Sequence, residues 1–414
     1  MTVASNTLIT SSLALKTCLR ALRNNWTLVP RSVQNVDELF RNSTFNSGDT
    51  VTIKIPPRYL SGTGSTLVKN DTTQTSTTIT LVQRNAGVGF TSKQLTLSLG
   101  DFFTNVADPL MAQLAADIES DGYAALFDGA QGLVTPGAYT SGAPAAWTGA
   151  DISTLRPFND ARARIKDQAG GMNIYAALSP STQGAVVDAN KTIFNPNPTI
   201  SDQYLKGVIT RYAGIEFVES QAIPRFTSGT RAATGATVNG TVSSGGTSVV
   251  LASAGNTKTY VAGDQFTVPN VYAVNPLTRE STGKLQVFTV QSLATSDAGG
   301  AVTLSFLPAA TTSGKDMTVN RAITNGDSVN MLGGVSVTTE VNMVWDKEAL
   351  LFAGCDLSTD MYGVKVSKER DAQTGLTLRL MKGTDITEDE AIERMDVMYG
   401  WKVIRPSLVV RVQG

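Results

Sequence analysis

The strongest constraint on the fold is a run of apolar residues at helical spacing between Asp108 and Ala130. Asp108 suits the N-cap, because its carboxylate can accept orphan backbone N–H groups, and Pro109 suits the first helical position. A helix over 109–130 would be about 33 Å long. Gly122 lies inside it and costs about 1 kcal/mol relative to alanine, so packing has to hold that turn. The predicted apolar face comprises Leu110, Leu114, Ile118, Ala125 and Leu126, with Gln113, Asp117, Glu119 and Asp121 on the other faces.

A second pattern, of short β-strands separated by turn residues, occupies 227–334. Glycine, threonine, serine and valine dominate it, and the turns recur at roughly regular spacing, which is typical of a small β-barrel or sandwich. Because the flanking segments read as two parts of one domain, this region is predicted to be an insertion with its own core. The predicted strands are 248–252, 265–268, 285–290 and 302–306, and the predicted core residues are Val250, Phe266, Val268, Leu285, Val287, Phe288, Val302 and Leu304.

A long protruding β-hairpin is predicted within 49–99, and a strand-like run at 94–99 leads from it into the predicted helix. Apolar and polar residues alternate over 51–55, the Pro56-Pro57 pair ends that strand, and a return strand begins at Ile79. The middle of the hairpin has too few apolar residues for a core, so it needs a partner surface; the alternating strands argue against a disordered loop. A Lys-Asn pair near the tip would permit an isopeptide bond to another subunit, but an ordinary polar tip is the better interpretation. The candidate contact residues are Pro56, Pro57, Arg58 and Lys69.

Residues 1–45 are predicted to form an arm with a short amphipathic helix. Lys16, Arg20 and Arg23 cluster beside its apolar side. A basic amphipathic helix can contact acidic proteins, DNA or lipid, or it can dock on the surface of its own or a neighbouring subunit. Docking is the preferred interpretation.

Helices and strands alternate on either side of the insertion, which predicts helices packed on a central sheet. A helix is predicted to open at 151–155, a buried strand to cover 173–177 and another helix to end near Asn190. Thr387 and Glu390 have the spacing of a capping box, so a helix is predicted to start there. The strands predicted after the insertion are 341–345, 375–381 and one long strand over 394–412 with one wet face.

Composition excludes most catalytic and metal-binding chemistry. The 414 residues contain no histidine, the commonest general base and zinc ligand, and only two cysteines, Cys18 and Cys355. No nucleotide-binding loop, serine elbow or paired-cysteine site is present. The net charge of −1 creates no broad field toward nucleic acid, and no apolar run reaches the ~18 residues of a membrane helix. We therefore expect a soluble protein made in the cytoplasm, without enzymatic activity, cofactor or metal.

Three segments resemble, in the same order, segments of tailed-phage coat proteins. The run Ala-Gly-Ile-Glu-Phe-Val-Glu-Ser-Gln-Ala-Ile-Pro at 213–224 has the family's Ala-Gly-apolar-acid pattern, followed by Ser and Pro. The segment 342–350 is similar to the strand by which that family returns from an inserted barrel. Tyr-Gly at 399–400 precedes Arg-Pro at 405–406 by the spacing found in the coat proteins of Salmonella short-tailed phages (podoviruses). With the insertion at the matching place, the resemblance covers most of the chain.

The resemblance implies an α+β fold of the Hong Kong 97 type, with an N-terminal arm, E-loop, spine helix, P-domain and A-domain, and with a small β-barrel I-domain inserted. In the I-domain, Arg279, Glu280 and Lys284 are candidates for contacts between subunits, a solvated turn being the alternative. The implied ranges are 1–45 for the arm, 46–92 for the E-loop, 93–149 for a P-domain strand and the spine helix (about 101–131), 150–226 and 335–372 for the A-domain, 227–334 for the I-domain and 373–414 for C-terminal P-domain strands.

The implied function is that of a major capsid (coat) protein, which self-assembles into the icosahedral shell around the double-stranded DNA genome of a tailed phage. The implied partners are further copies in hexamers and pentamers, a scaffolding protein, a portal and, through non-specific contacts of Lys16, Arg20 and Arg23, the packaged DNA, but no membrane. The implied location is the virion capsid, assembled in the host bacterial cytoplasm. The family's scaffolding contact involves an acidic patch on the arm, whereas this arm is basic. An encapsulin-like shell holding cargo and a β-rich sugar-binding module are the alternative functions.

Overall fold

A computed structural model describes residues 11–34, 50–55, 57–61, 63–65, 69–70, 76–91, 107–136, 147, 149, 152–190, 211–232, 234–360, 363–371, 373–385, 387 and 389–414. Pro56, the strand-like run at 94–99 and the predicted start of the spine helix near residue 101 lie outside these residues. The described residues divide between two compact units. The spine unit lies within Met1–Ile53, Ser76–Gly122 and Leu351–Lys402, and the barrel unit within Lys54–Thr75, Tyr123–Leu350 and Val403–Gly414.

The described residues contain four α-helices, 23 β-strands and three short 3-10 helices. The α-helices are α1 (Ser11–Asn24), α2 (Asp108–Gly129), α3 (Arg156–Asp167) and α4 (Pro180–Asn190), and the 3-10 helices are Val29–Arg31, Lys347–Ala349 and Pro406–Leu408. The strands before the barrel are β1 (Thr50–Lys54), β2 (Ser76–Thr80), β3 (Val82–Thr91), β4 (Gly132–Val134), β5 (Ile174–Leu178), β6 (Arg211–Tyr212), β7 (Ile215–Glu219) and β8 (Arg225–Thr227). Those of the barrel region are β9 (Ala236–Val238), β10 (Gly246–Ala252), β11 (Thr259–Tyr260), β12 (Gln265–Val274), β13 (Ser281–Val290), β14 (Ala294–Thr295), β15 (Val302–Ala310) and β16 (Ser328–Met331). The last strands are β17 (Thr338–Glu340), β18 (Asn342–Asp346), β19 (Leu350–Cys355), β20 (Lys365–Arg370), β21 (Thr377–Asp385), β22 (Glu390–Val403) and β23 (Val409–Val412).

The spine unit is built on a five-stranded sheet in which β19, β22, β21 and β20 follow one another and β3 also pairs with β22. β1 and β2, the two strands at the base of the predicted hairpin, pair with each other in a separate small sheet. The long strand β22 has β21 on one side and β3 on the other, so the three form an antiparallel ribbon. Apolar side chains of α1, α2 and this sheet, among them Leu22, Leu114, Phe352, Leu378 and Tyr399, pack into one core.

Helix α2 follows the prediction closely and begins at Asp108. Met111, Leu114 and Ile118 are fully buried, as the helical spacing of the apolar residues requires. Glu119 is also buried, so its predicted place on a polar face is wrong. The reason is a second element packed on that side, since the turn after α1 covers the Glu119 carboxylate.

Gly122 permits the close packing of α2 within the spine unit. A Cβ at this position would lie 2.5 Å from Leu28 Cδ2 and 2.9 Å from Trp401 Cε2. We expect Gly122→Ala to lower the free energy of unfolding by about 1 kcal/mol, because overpacking outweighs the gain in helix propensity. Denaturant unfolding checks this, with Gly184→Ala in α4 as the control, because a Cβ there meets nothing within 4 Å. A Gly122→Ala chain as stable as the unaltered protein would contradict the packing argument.

Helix α1 docks on the spine unit through its apolar face. Leu15, Cys18 and Leu22 are buried in the core that α2 and the sheet share. The ring of Trp26, just after the helix, lies 6.5 Å from that of Phe352 between centroids. The preferred interpretation of the arm, docking on a protein surface, is therefore confirmed for its described part.

The barrel unit contains a six-stranded mixed sheet in the order β4-β23-β18-β5-β7-β6. β4 runs parallel to β23 and β5 runs parallel to β7, whereas β18 is antiparallel to both of its neighbours. Helix α3 packs on the sheet with Phe158, Ala161 and Ile165 buried, three residues that share one face at helical spacing. The predicted packing of helices on a central sheet is confirmed here.

The prediction of one strand over 394–412 is wrong. β22 ends at Val403, the 3-10 helix Pro406–Leu408 follows, and β23 pairs with β18 in the six-stranded sheet. The break coincides with Pro406, which has no N–H to donate to a β-ladder. Residues 403–414 accordingly group with the barrel unit, whereas the rest of β22 groups with the spine unit.

The prediction of a helix beginning at Thr387 is also wrong. Thr387 lies in the turn between β21 and β22, and Glu390 is the first residue of β22. Asp385 Oδ1 accepts hydrogen bonds from the backbone N of Thr387 at 2.8 Å and from its Oγ1 at 2.7 Å. An acidic side chain that closes a hairpin turn uses the same residue types as a helix cap, so the local pattern does not distinguish the two.

Residues 236–331 contain a closed barrel with the strand order β10-β15-β13-β12-β16-β9. Three aromatic rings fill its centre: Phe288 lies 5.3 Å from Phe266 and 5.0 Å from Phe306 between ring centroids. Closure leaves no open sheet edge, and the apolar interior is contiguous. The predicted inserted barrel is thus confirmed as a structure.

Two of the predicted barrel core residues are placed wrongly. Val250 is 39% exposed, whereas Val249 and Leu251 on either side of it are buried and form the inward-facing side of β10. Leu285 is only half-buried. The buried members of the predicted set are Phe266, Val268, Val287, Phe288, Val302 and Leu304.

Candidate assembly site

A cavity of about 500 Å³ opens in the barrel unit where several chain segments meet. Its walls come from Ile55, Pro57 and Arg58 at the base of the predicted E-loop, from the end of α3, from two barrel loops and from residues 404–408. Four basic side chains and one acidic side chain line it, so the cavity suits an anionic group. The charged lining residues are Arg58, Arg164, Lys315, Asp316 and Arg405.

The structure separates the charged residues that the sequence grouped in the I-domain. Arg279 Nη2 donates a hydrogen bond to the backbone O of Tyr59, at 2.8 Å, in the predicted E-loop. Lys284 instead forms an ion pair of 2.5 Å with Asp167 at the end of α3, and Glu280 is exposed. The group therefore acts at two places, joining the barrel to the loop base and to α3. Of the three residues, only Glu280 fits the alternative interpretation of a solvated turn.

Two hairpin candidates, Pro57 and Arg58, line the cavity. Lys69 is exposed near the other end of the loop. The neighbouring Asn70 side chain accepts a hydrogen bond from Leu60 N and donates one to Leu60 O, both at 2.7 Å. Because both amide atoms of Asn70 hold the loop together, the contacts favour an ordinary polar tip over an isopeptide partner.

The basic stripe of α1 lies partly against its own sheet. Lys16 is 3.6 Å from Glu369 and Arg23 Nη1 donates to the side chain of Gln373 at 2.9 Å. Arg20 is exposed between them. Surface ion pairs of this kind contribute little to stability, so the stripe remains available for a stronger partner.

A buried ion pair at the base of the barrel was missed by the sequence analysis. Arg231 Nε lies 2.9 Å from Asp264 Oδ1, and both side chains are fully buried. Asp264 Oδ2 also accepts hydrogen bonds from the backbone N–H groups of Val261 and Gly229. One carboxylate therefore holds two segments of the barrel region together, residues 229–231 and residues 261–264.

Arg411, on the last strand, is a second buried charge in the same region. It donates to Gly263 O at 2.8 Å and to Phe127 O at 2.6 Å, and its guanidinium carbon lies 3.8 Å from the centroid of the Phe127 ring. Burial lowers the pKa of Arg411 to about 9, although Asp128 and Asp264 act to raise it. The side chain therefore stays cationic at neutral pH and joins the six-stranded sheet, the end of α2 and the barrel.

Glu119 is the corresponding buried charge of the spine unit. Its carboxylate accepts hydrogen bonds from Leu28 N at 2.6 Å and from both N and Oγ1 of Thr27. Burial raises the pKa of Glu119, while these hydrogen bonds and the nearby Arg31 lower it. The contact fixes the turn that follows α1 onto α2.

Metal ligands and cysteine thiols are two further chemical features of the described residues. Within the described ranges, no group of three or more His, Cys, Asp or Glu residues is placed to hold a metal ion. Burial raises the pKa of the Cys18 and Cys355 thiols, with Asp108 and Asp356 adding to the rise, so both are weak nucleophiles. None of the helices described has the length and apolar character needed to cross a membrane.

Comparison with known proteins identifies the family. The family described as "P22 coat protein - gene protein 5" matches residues 3–414. The chain belongs to the P22 coat protein family. No curated protein matches the sequence.

Solved capsid structures are similar to this coat protein at low sequence identity. The capsid of Cyanophage P-SCSP1u is 13% identical over 89% of this chain and 84% of that chain, with a TM-score of 0.43. The mature capsid of bacteriophage PhiM1 is 12% identical over 89% and 82% of the two chains, with a TM-score of 0.40. The capsid of an empty GTA particle is 10% identical over 100% and 94%, with a TM-score of 0.39. The assignment rests on the family match.

Family membership defines the role of the protein. It is a major capsid protein that self-assembles into the shell of a tailed phage, and it is a structural component of the virion capsid. The predicted function is confirmed, as is the predicted α+β, Hong Kong 97-like fold with an inserted barrel. The encapsulin-like and sugar-binding alternatives are set aside.

Proposed function

We propose that this coat protein assembles in the host bacterial cytoplasm, around a scaffolding protein and a portal, into a procapsid of hexamers and pentamers. Family membership over residues 3–414 carries the proposal. The shell then receives double-stranded DNA and acts as a container without enzymatic activity. The absence of histidine from the sequence and the raised pKa of both thiols support a purely structural role.

We propose the domain division that the resemblance implies, with 227–334 as the I-domain and 150–226 with 335–372 as the A-domain. The closed barrel within 236–331 supports the first assignment, and the six-stranded sheet supports the second. That sheet also takes β4 and β23 from the ranges assigned to the P-domain. The A-domain sheet is therefore completed by strands from both sides of the insertion.

The predicted E-loop and the I-domain turn form one candidate interface between subunits. Pro57 and Arg58 line the same cavity as barrel residues, and Arg279 ties the loop base to the barrel. Lys69 and Glu280 are exposed on these segments, where a neighbouring subunit can reach them. Contacts that are weak singly are multiplied around a closed symmetric shell.

The arm is the candidate contact for the scaffolding protein and for DNA. Arg20 is exposed, and Lys16 and Arg23 make only surface contacts. A basic stripe selects an acidic partner, so we expect the scaffolding protein to present acidic residues to it. Contact of the stripe with packaged DNA would go through phosphates, without sequence preference, and would fade with rising salt.

Electron microscopy of the purified protein tests the proposed function. The coat protein is produced in bacteria with and without the scaffolding protein of its own phage, and negative-stain images are recorded. We expect closed shells, more uniform in diameter when the scaffolding protein is present. Small soluble species alone under both conditions would overturn the proposal.

A further inference from the structure

We propose that the cavity of the barrel unit receives the acidic tip of the β21–β22 ribbon from a second copy of the coat protein. The inference rests on shell assembly and goes beyond it by naming the two surfaces that meet. It is carried by the charges of the cavity, the composition of the ribbon tip and the apolar rim beside the cavity.

The cavity presents positive charge that the described part of the chain leaves without an acidic partner. Arg58 and Lys315 line it, and no acidic side chain of the described residues lies within ion-pair distance of either one. Arg405 lines it as well, with Glu348 at 2.8 Å. An anionic group entering the cavity would meet two cations, which can form charge-assisted hydrogen bonds with it. The group would also lose less of its hydration than in an apolar pocket, so its desolvation cost would be lower.

The β21–β22 ribbon presents the complementary charge at its tip. Its eight consecutive pairs, from Leu378↔Val397 to Asp385↔Glu390, hold the turn at the end of about 26 Å of paired strand. The turn sequence 385–390 is Asp-Ile-Thr-Glu-Asp-Glu, with four carboxylates and no basic residue. The nearest lysine along β21, Lys382, forms an ion pair with Glu393 within the ribbon.

The apolar rim of the cavity favours a protein segment over a free phosphate. Leu277 is 72% exposed at the rim, and Pro57 and Pro276 lie in the same lining. A phosphate would use the cations and leave this rim in water, whereas a hairpin tip also covers it. Cavity and tip are different surfaces, so each copy can receive one neighbour and be received by another, which is the head-to-tail contact that builds closed assemblies.

A charge exchange in the full-length protein tests the contact. The cavity variant is Arg58→Glu with Lys315→Glu, and the tip variant is Glu388→Lys and Glu390→Lys with Asp389→Asn, which changes the net charge of residues 385–390 from −4 to +1. Asparagine suits the left-handed conformation of Asp389, whose φ is 51°. The control is Lys258→Glu, on the barrel region but outside the cavity lining. Shell yield is measured by sedimentation and negative stain, and the melting temperature of unassembled subunits shows whether each variant folds.

We expect the cavity variant and the tip variant each to fold and to lower the shell yield at least about tenfold, the equivalent of about 1.4 kcal/mol. Combining all five substitutions should restore the yield to within about threefold of the unaltered protein, a difference of well under 1 kcal/mol, and the control should leave it unchanged. Normal shells from the cavity variant would overturn the proposal, and so would folded subunits that the combination fails to rescue. Normal shells that package less DNA would identify the cavity as a phosphate site and overturn it too. If the unaltered protein formed no shells, the proposed function would fail together with the contact.

Discussion

Replacing Asp264 by alanine should destabilise the barrel by about 4 kcal/mol, because the substitution leaves the fully buried Arg231 without its carboxylate. The backbone N–H groups of Val261 and Gly229 would lose their acceptor at the same time. A buried donor without a partner costs more than the hydrogen bond itself contributed. Denaturant unfolding of the soluble subunit, followed by near-ultraviolet circular dichroism, measures the loss.

A double variant separates the ion pair from ordinary packing. Arg231→Met with Asp264→Leu removes both charges and keeps apolar volume in their place. We expect this variant to lose clearly less stability than Asp264→Ala, because replacing a buried pair by apolar groups is often close to neutral. Equal losses in the single and double variants would show that the unpaired charge is not the cause.

Local sequence patterns predicted correctly those helices and strands in which the spacing of apolar residues itself defines the buried face. The cap at Asp108 and the apolar residues at helical spacing located α2, and alternating short strands located the barrel. In both cases the apolar period of the element coincides with the face that the fold buries. Val250 shows the limit, since Val249, Val250 and Leu251 are all apolar and this run does not tell which side of β10 faces the core.

Buried charges could not be located in the same way, because their partners are distant in sequence. Glu119 reads as a surface residue until the turn at Thr27, 92 positions earlier, covers it. For Arg411, one feature of the sequence could have indicated a buried charge. It lies in a strand whose other three residues are valine, and a single arginine in such a buried run indicates a paired or functional charge.

The predictions for the C-terminal elements were wrong for a related reason. The sequence at 394–412 alternates well enough for one strand, yet its two parts pair with different sheets on either side of Pro406. The choice between a hairpin turn and a helix start at Thr387 likewise depended on β21, which lies beside β22 and supplies its ladder. Pairing partners, rather than local propensity, decided both structures.

Glu119→Leu should release the turn after α1 and lower the free energy of unfolding of the spine unit by about 3 kcal/mol, because one buried and two partly buried donors lose their acceptor. Glu119→Gln should keep the turn in place. Its amide oxygen can accept from the backbone N–H groups of Thr27 and Leu28, while its amide nitrogen donates to Thr27 Oγ1. Hydrogen exchange at those two backbone amides checks both variants. Fast exchange in both, or protection in both, would contradict the assigned role.

The pH dependence provides an independent check on Glu119, because burial raises its pKa in the folded protein. A group with a raised folded-state pKa contributes stability that is fully present below its unfolded pKa and is lost as the pH rises through the folded value. The unaltered protein should therefore gain stability relative to Glu119→Gln as the pH falls from about 7 to about 5, whereas the glutamine has no proton to take up there. Parallel denaturant titrations of the two proteins at these pH values measure the difference. A stability difference that stays constant over this range would show that Glu119 titrates alike in the folded and unfolded chains. Burial would then not raise the pKa of Glu119 in the folded protein.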